Sequence, residues 1–173
     1  MELVFVSVGS NLSEPLLQVT KALSALGAIP KTSIVMCSSY YRSRPLVNNY
    51  NYNNNQPDYL NAVVALETEL TPELFLYYIN IIEIQHGRTR QKYRFAPRTL
   101  DLDIVLFGTK IIATSKLTVP HYDMHNREFI IYPLEEIAPN IILPDGTSLV
   151  AIRRNINRNG MILWDDTSLI TER

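Results

Sequence analysis

Residues 58–107, DYLNAVVALETELTPELFLYYINIIEIQHGRTRQKYRFAPRTLDLDIVLF, read as strand, helix, cationic loop and strand. In the first part Tyr59, Asn61, Val63 and Ala65 alternate with Leu60, Ala62, Val64 and Leu66, the two-residue period of a strand with two distinct faces. Thr71 and Pro72 supply a helix cap and a first-turn proline, apolar residues continue to Ile84, and Gly87 stops the helix. The stretch then packs Arg88, Arg90, Lys92, Arg94 and Arg98 into one loop before a strand at 101–107.

On that strand Asp101 and Asp103 share a face, and the same alternation sends Leu102, Ile104 and Leu106 to the other. Two carboxylates so close repel unless a cation bridges them. Hard oxygen ligands with few protein contacts suit Mg²⁺, which takes its remaining ligands from water and phosphate. Arginines in the preceding loop would clamp the phosphate oxygens left over. The plainer alternative is a set of strand-end surface charges paired with one another.

Outward from this segment, residues 2–8 form a buried strand ending at Gly9. The turn Gly9, Ser10, Asn11 leads to Ser13 as a cap and Pro15 in the first turn of a helix. Leu16, Val19, Leu23 and Leu26 mark its apolar stripe, and Gly27 its end. The turn itself is too short and common to carry functional weight. Residues 32–41 form another β-rich run, followed by the asparagine-dense loop VNNYNYNNNQP. After residue 107 come a hairpin around Ile111 and Leu117, the loop VPHYDMHNREF, a helix near 129–137 and a tail of short elements. The order is β-α-β-β-α-β with a C-terminal extension, an α+β ferredoxin-like sandwich, and one domain over 1–173 is expected.

With 173 residues, a net charge of −1 and pI near 6.3, the basic loop is a local feature. That balance argues against bulk binding to nucleic acid or membrane and points to a small anionic partner. The single Cys37 reads as a core thiol, and the N-terminus lacks the basic start and apolar core of a signal peptide. A cytoplasmic monomer is expected. No GxxxxGK[ST] loop is present, so a nucleotide would be held by arginines and metal. His121, Asp123 and His125 offer a zinc-like spacing, but Pro120 favours a loop. His121 is better suited to a hydrogen bond or a positive charge on a phosphate.

The segments SNL (10–12), SSYYRS (38–43), QPDYLNAVVALET (56–68), PRTLDLDIVLFG (97–108) and LTVPHYDMHNREFIIYPLEEIAP (117–139) closely resemble the 6-hydroxymethyl-7,8-dihydropterin pyrophosphokinases of folate biosynthesis. The resemblance implies transfer of pyrophosphate from ATP to the pterin hydroxymethyl group, with release of AMP. It implies Asp101 and Asp103 as ligands of two Mg²⁺ ions, and Arg88 and Arg98 as catalytic arginines. Glu83, Arg90, Lys116, His121, Tyr122 and Arg127 would contact ATP. Tyr59 and Phe129 would sandwich the pterin and Asn61 would read its edge, with Ser43, Leu46 and Phe95 completing that pocket. Phe95 stands where many relatives carry tryptophan, and Lys116 and Asn80 where a familiar bacterial form has arginine and glutamine. The 47–55 loop is also longer than in compact relatives. A metal-dependent nucleotide hydrolase and a ferredoxin-like RNA-binding module are the competing readings. The first would need a water-activating base, the second a basic sheet surface.

Overall fold

A computed structural model describes residues 1–12, 14–45, 56–87 and 99–165. The expectation for a capping Ser13 lies outside these residues, as does the asparagine-dense loop up to Asn55. Strand β1 (Glu2–Ser10) runs two residues further than expected and leads to helix α1 (Pro15–Gly27). The cap position of α1 is Glu14, left-handed at φ 59° and without a side-chain cap bond. The stripe of α1 is Val19, Ala22 and Leu26, all fully buried, whereas Leu16 faces solvent.

The 32–41 run is two strands, β2 (Thr32–Cys37) and β3 (Tyr41–Ser43). Both pair antiparallel with the same side of β4 (Tyr59–Thr68), as two halves of one interrupted edge. Helix α2 (Pro72–Gln85) starts on Thr71, whose hydroxyl accepts the Leu74 N–H, and precedes β5 (Asp101–Phe107). Taking β2 and β3 as one strand, the sheet order β5-β1-β4-β3 is the fourth-first-third-second arrangement of a ferredoxin-like sheet. Beyond it lie the hairpin β6 (Ile112–Ala113) and β7 (Thr118–Val119), a 3₁₀ turn at Met124–Asn126, α3 (Glu128–Ile137), α4 (Leu149–Arg154) and β8 (Ile162–Leu163). The tail thus returns to the sheet, because β8 pairs with the free edge of β3.

Two cores follow from the pleat. Val4, Val6, Val8, Leu60, Val64 and Leu66 pack against α1 and α2, while Phe5, Val63 and Ala65 pack against α3 and α4. The faces expected for β4 are observed. On β5 the alternation breaks: Val6 faces Ile104 but Phe5 faces Leu106, leaving Val105 as an extra residue in a β-bulge. Leu106 therefore joins Val105 in the α3 core instead of following Leu102 and Ile104, and Phe107 enters the α1/α2 core.

In that first core the Phe75 ring meets Phe107 edge-on at 5.8 Å, and both are fully buried. Phe75→Ala should destabilise the protein by about 3–5 kcal/mol in urea unfolding, the cost of a large cavity that neighbours on a rigid sheet cannot close. A loss below about 1 kcal/mol would mean that the site collapses freely.

Candidate active site

Register across the sheet assembles the site. Asp101 on β5 pairs with Gly9 on β1, Gly9 with Asn61 on β4, and Asn61 with Tyr41 on β3. Two residues along the strands in one direction Tyr59 pairs with Ser43, and two residues in the other direction Asp103 pairs with the buried Ser7. Because paired residues on neighbouring strands project to the same side, Asp101, Gly9, Asn61 and Tyr41 form one row across the α3 face of the sheet, flanked on that face by these two pairs. Carboxylates stand at one end of the row, and an amide, a phenol and a hydroxyl at the other.

Gly9 occupies the middle. A Cβ there would lie 3.2 Å from Asn61 Oδ1 and 3.9 Å from Tyr59 Cδ1, so only glycine leaves the floor between the two ends open. Its neighbours in the turn tie down the chain on both sides. The Ser10 hydroxyl donates to the Thr99 carbonyl just before β5, and Asn11 Nδ2 donates to the Pro57 carbonyl at 3.2 Å just before β4. Both side chains are buried. The Gly9-Ser10-Asn11 turn, too short to count as evidence by itself in the sequence, links the strand segments of the candidate site. The signal that could have found it is the glycine immediately after a buried strand, followed by two residues able to bond backbone.

At the amide end Asn61 Nδ2 donates to Ser43 Oγ at 2.5 Å, and both residues are about 4% exposed. Tyr59 and Phe129 are half-buried, the latter in the first turn of α3. The Arg127 guanidinium lies 5.7 Å from the Phe129 ring and 5.8 Å from the Tyr122 ring.

The loop after β7 is fixed by the bulge. The backbone N–H of His121 donates to the Val105 carbonyl at 2.9 Å, setting the imidazole beside the β5 edge. His121 is 8% exposed and stacks on the exposed Tyr122 at 4.8 Å. Burial, with the Arg127 charge behind it, lowers its pKa from the ordinary 6.5 to about 4. The positive charge envisaged for His121 is therefore not available near neutral pH. Its Nδ1 accepts the Asp123 N–H at 3.2 Å, which puts the proton on Nε2 and makes the ring a neutral donor. Nor is Asp123 a spare ligand. Its carboxylate accepts Asn126 Nδ2 and Arg127 Nε, each at 3.0 Å, and those bonds hold it below the usual carboxylate range despite partial burial.

Glu83 is buried near the end of α2, and Lys116 is exposed on the β6–β7 turn. Arg88, Arg90, Phe95, Arg98 and Leu46 lie outside the described residues. Among the described residues no group of three or more His, Cys, Asp or Glu side chains is arranged to hold a metal ion. Asp101 and Asp103 are a two-carboxylate set, which fits a hard cation whose other ligands come from water and a bound polyphosphate and does not fit a closed zinc site.

A family model described as 7,8-dihydro-6-hydroxymethylpterin-pyrophosphokinase matches residues 5–139. The chain is 44% identical over 158 residues to the 2-amino-4-hydroxy-6-hydroxymethyldihydropteridine pyrophosphokinase of Haemophilus influenzae, covering 91% of this chain and 95% of that one. To the enzyme of that name from Pseudomonas aeruginosa it is 44% identical over 146 residues, covering 84% and 86%. Among solved structures, an HPPK-DHPS chain in complex with substrates superposes with a TM-score of 0.67 at 12% identity and 90% coverage, a likeness in fold. This chain spans 45% of the length of that one. On the family match and these identities, the chain belongs to the 7,8-dihydro-6-hydroxymethylpterin-pyrophosphokinase family.

Proposed function

We propose that the family's reaction, transfer of pyrophosphate from ATP to the hydroxymethyl group of 6-hydroxymethyl-7,8-dihydropterin with release of AMP, takes place over Gly9. The pterin would lie toward Asn61 and the ATP phosphates toward Asp101 and Asp103. The observation that carries this reading is the single row Asp101–Gly9–Asn61–Tyr41 across three strand pairings. It sets an acidic end and an aromatic-amide end on one face with an open floor between.

Tyr59 and Phe129 are the candidates to hold a flat heteroaromatic ring by stacking, with Asn61 and Ser43 supplying directed hydrogen bonds at its edge. Ser43 Oγ already accepts one Asn61 N–H, which fixes the amide so that its oxygen faces the floor at Gly9. On the nucleotide side Asp101 and Asp103 would hold two Mg²⁺ ions. When bound, these neutralise charge on phosphate oxygens. His121 Nε2–H would donate to a phosphate oxygen, and Arg127, oriented by Asp123, would face the same side. Glu83, Lys116 and Tyr122 are assigned to ATP, and Arg88, Arg90 and Arg98 to its phosphates, by the family resemblance. Leu46 and Phe95 are assigned to the pterin on the same ground. In the reaction the pterin hydroxyl oxygen bonds to the β-phosphorus in line with the bridging oxygen, and that oxygen departs with AMP. The arginines and oriented donors supply charge stabilisation without a covalent intermediate.

An assay with ATP, Mg²⁺ and hydroxymethyl-dihydropterin that detects AMP and the pterin diphosphate tests the reaction, and ATP loss to water alone would overturn it. Asp101→Ala and Asp103→Ala should each lower turnover by orders of magnitude without unfolding the protein, since each removes charge stabilisation of several kcal/mol. Near-normal turnover at ordinary Mg²⁺ in either variant would remove the metal assignment. Tyr59→Ala and Phe129→Ala should weaken pterin binding, by about 0.5–1.5 kcal/mol for stacking beyond lost burial, and spare ATP. Calorimetric titration with each ligand separates this from a general defect, which would weaken both. NMR titration of the free enzyme should leave the His121 ring neutral down to about pH 5 and protonate it near 4. The unfolded chain takes up that proton near 6.5, so the group costs stability progressively as pH falls from about 6.5 toward 4. A midpoint at or above 6.5 would return the imidazolium as the phosphate contact.

A further inference from the structure

The two walls assigned to the pterin are joined by hydrogen bonds beside the pocket, through Tyr41 and Ser39. One wall is β3, three residues long, which carries Ser43 at its end. The other is α3, which carries Phe129 in its first turn. Glu136 lies seven residues after Phe129, two turns along the same stripe of that helix. Its carboxylate takes three donors from the β3 side. Oε1 accepts the Ser39 N–H at 2.8 Å and the Ser39 hydroxyl at 2.7 Å, and Oε2 accepts the Tyr41 hydroxyl. Burial raises the Glu136 carboxyl, yet the bonds from Tyr41 and Ser39 outweigh it and hold the group below its ordinary value.

Tyr41 and Ser43 project to the same face of β3, so the bonded phenol and the slot hydroxyl stand side by side on one strand. The other edge of β3 is closed by β8, where the Trp164 N–H donates to the Tyr40 carbonyl at 2.9 Å and the Arg42 guanidinium stacks 3.9 Å over the Trp164 ring. With β4 on one side and β8 on the other, β3 is fixed within the sheet plane. Helix α3 is seated on the same sheet by the buried Ile130, Ile131 and Leu134, and Glu136 adds a polar tie from its last turn directly to the β3 side.

We propose that Glu136 is a positioning residue for the pterin site, setting the separation between the β3 wall and the α3 wall from two helical turns away. The proposal rests on the assignment of Ser43, Asn61, Tyr59 and Phe129 to the pterin. Glu136 touches neither substrate nor the reacting atoms. A sandwich closed on a flat ring tolerates little change in wall spacing, and a misplacement of about 1 Å costs up to about a hundredfold in rate.

The test measures binding of hydroxymethyl-dihydropterin and of an ATP analogue with Mg²⁺, together with KM and kcat, for the wild type, Glu136→Ala, Glu136→Gln and Tyr41→Phe. Glutamine keeps an oxygen for both Ser39 donors and an amide to pair with the Tyr41 oxygen. Glu136→Ala should weaken pterin binding about tenfold or more while ATP-analogue binding stays within about twofold, Tyr41→Phe should fall between it and the wild type, and Glu136→Gln should recover most of the loss. Equal weakening of both ligands, unchanged pterin binding in Glu136→Ala, or no recovery in Glu136→Gln would overturn the positioning role. If Glu136→Ala does not fold, Tyr41→Phe decides by the same ratio of pterin to ATP binding. Wild-type enzyme that fails to bind the pterin would instead overturn the site assignment and this role with it. A wild type that binds, beside a Glu136→Ala variant that binds equally well, overturns the role alone.

Discussion

A missing side chain sets the terms for the rest of the site. Strand β1 is the second strand of the sheet, and its Gly9 is paired on one side with the first carboxylate and on the other with the buried amide. Neighbouring strands lie under 5 Å apart, so a side chain at this position would fill the space between the carboxylate and the amide. At 3.2 Å from a notional Cβ, Asn61 Oδ1 would have to give way by a few tenths of an ångström, and that amide is held from its other end by Ser43. Ser10 and Asn11 then exploit the same turn by bonding backbone at Thr99 and Pro57. Position 9 governs space, and positions 10 and 11 govern where the neighbouring segments re-enter the sheet.

The β5 bulge has a comparable reach. One surplus residue, Val105, lets Asp101 and Asp103 sit on the α3 face while Phe107 still reaches the α1/α2 core. Without it, a strict alternation would put Phe107 on the same face as the carboxylates. The carbonyl of Val105 accepts the His121 N–H, so the irregularity that serves both cores also docks the segment carrying His121 and Arg127. Packing and chemistry are linked here through one backbone group.

Much of this was legible in the sequence, and the rest was hidden for identifiable reasons. The faces of β4, the Thr71 cap and the Asp101/Asp103 pairing follow from periods of two and from local capping rules, which depend only on near neighbours. The bulge at Val105 was not legible. Val, Leu and Phe are all apolar, and which of them enters which core is settled by partners far away in sequence. The α1 stripe was misjudged at Leu16 for the same reason, since a leucine in a first turn has no core beneath it unless the sheet extends that far. The charge of His121 depends on burial and on Arg127, neither of which spacing reveals. The return of residues 162–163 to β3 left no periodic signature, because a two-residue strand is too short to show one.

Charge is distributed between the sheet and the segment that precedes β5. At the carboxylate end of the row Asp101 and Asp103 share one face of β5, while Arg127 is engaged by Asp123 and burial favours the neutral form of His121. A net charge of −1 over the whole chain offers a polyphosphate no general attraction. In the proposed reaction, complementarity to a polyphosphate would come from cations brought to the carboxylates and from the arginines that the sequence carries in 88–98. The sequence supplies those arginines at the point where the chain enters β5 through Thr99, the residue whose carbonyl Ser10 holds. On this reading the acidic pair is a socket for cations, and the basic segment is the stretch of sequence that leads directly into the strand carrying it.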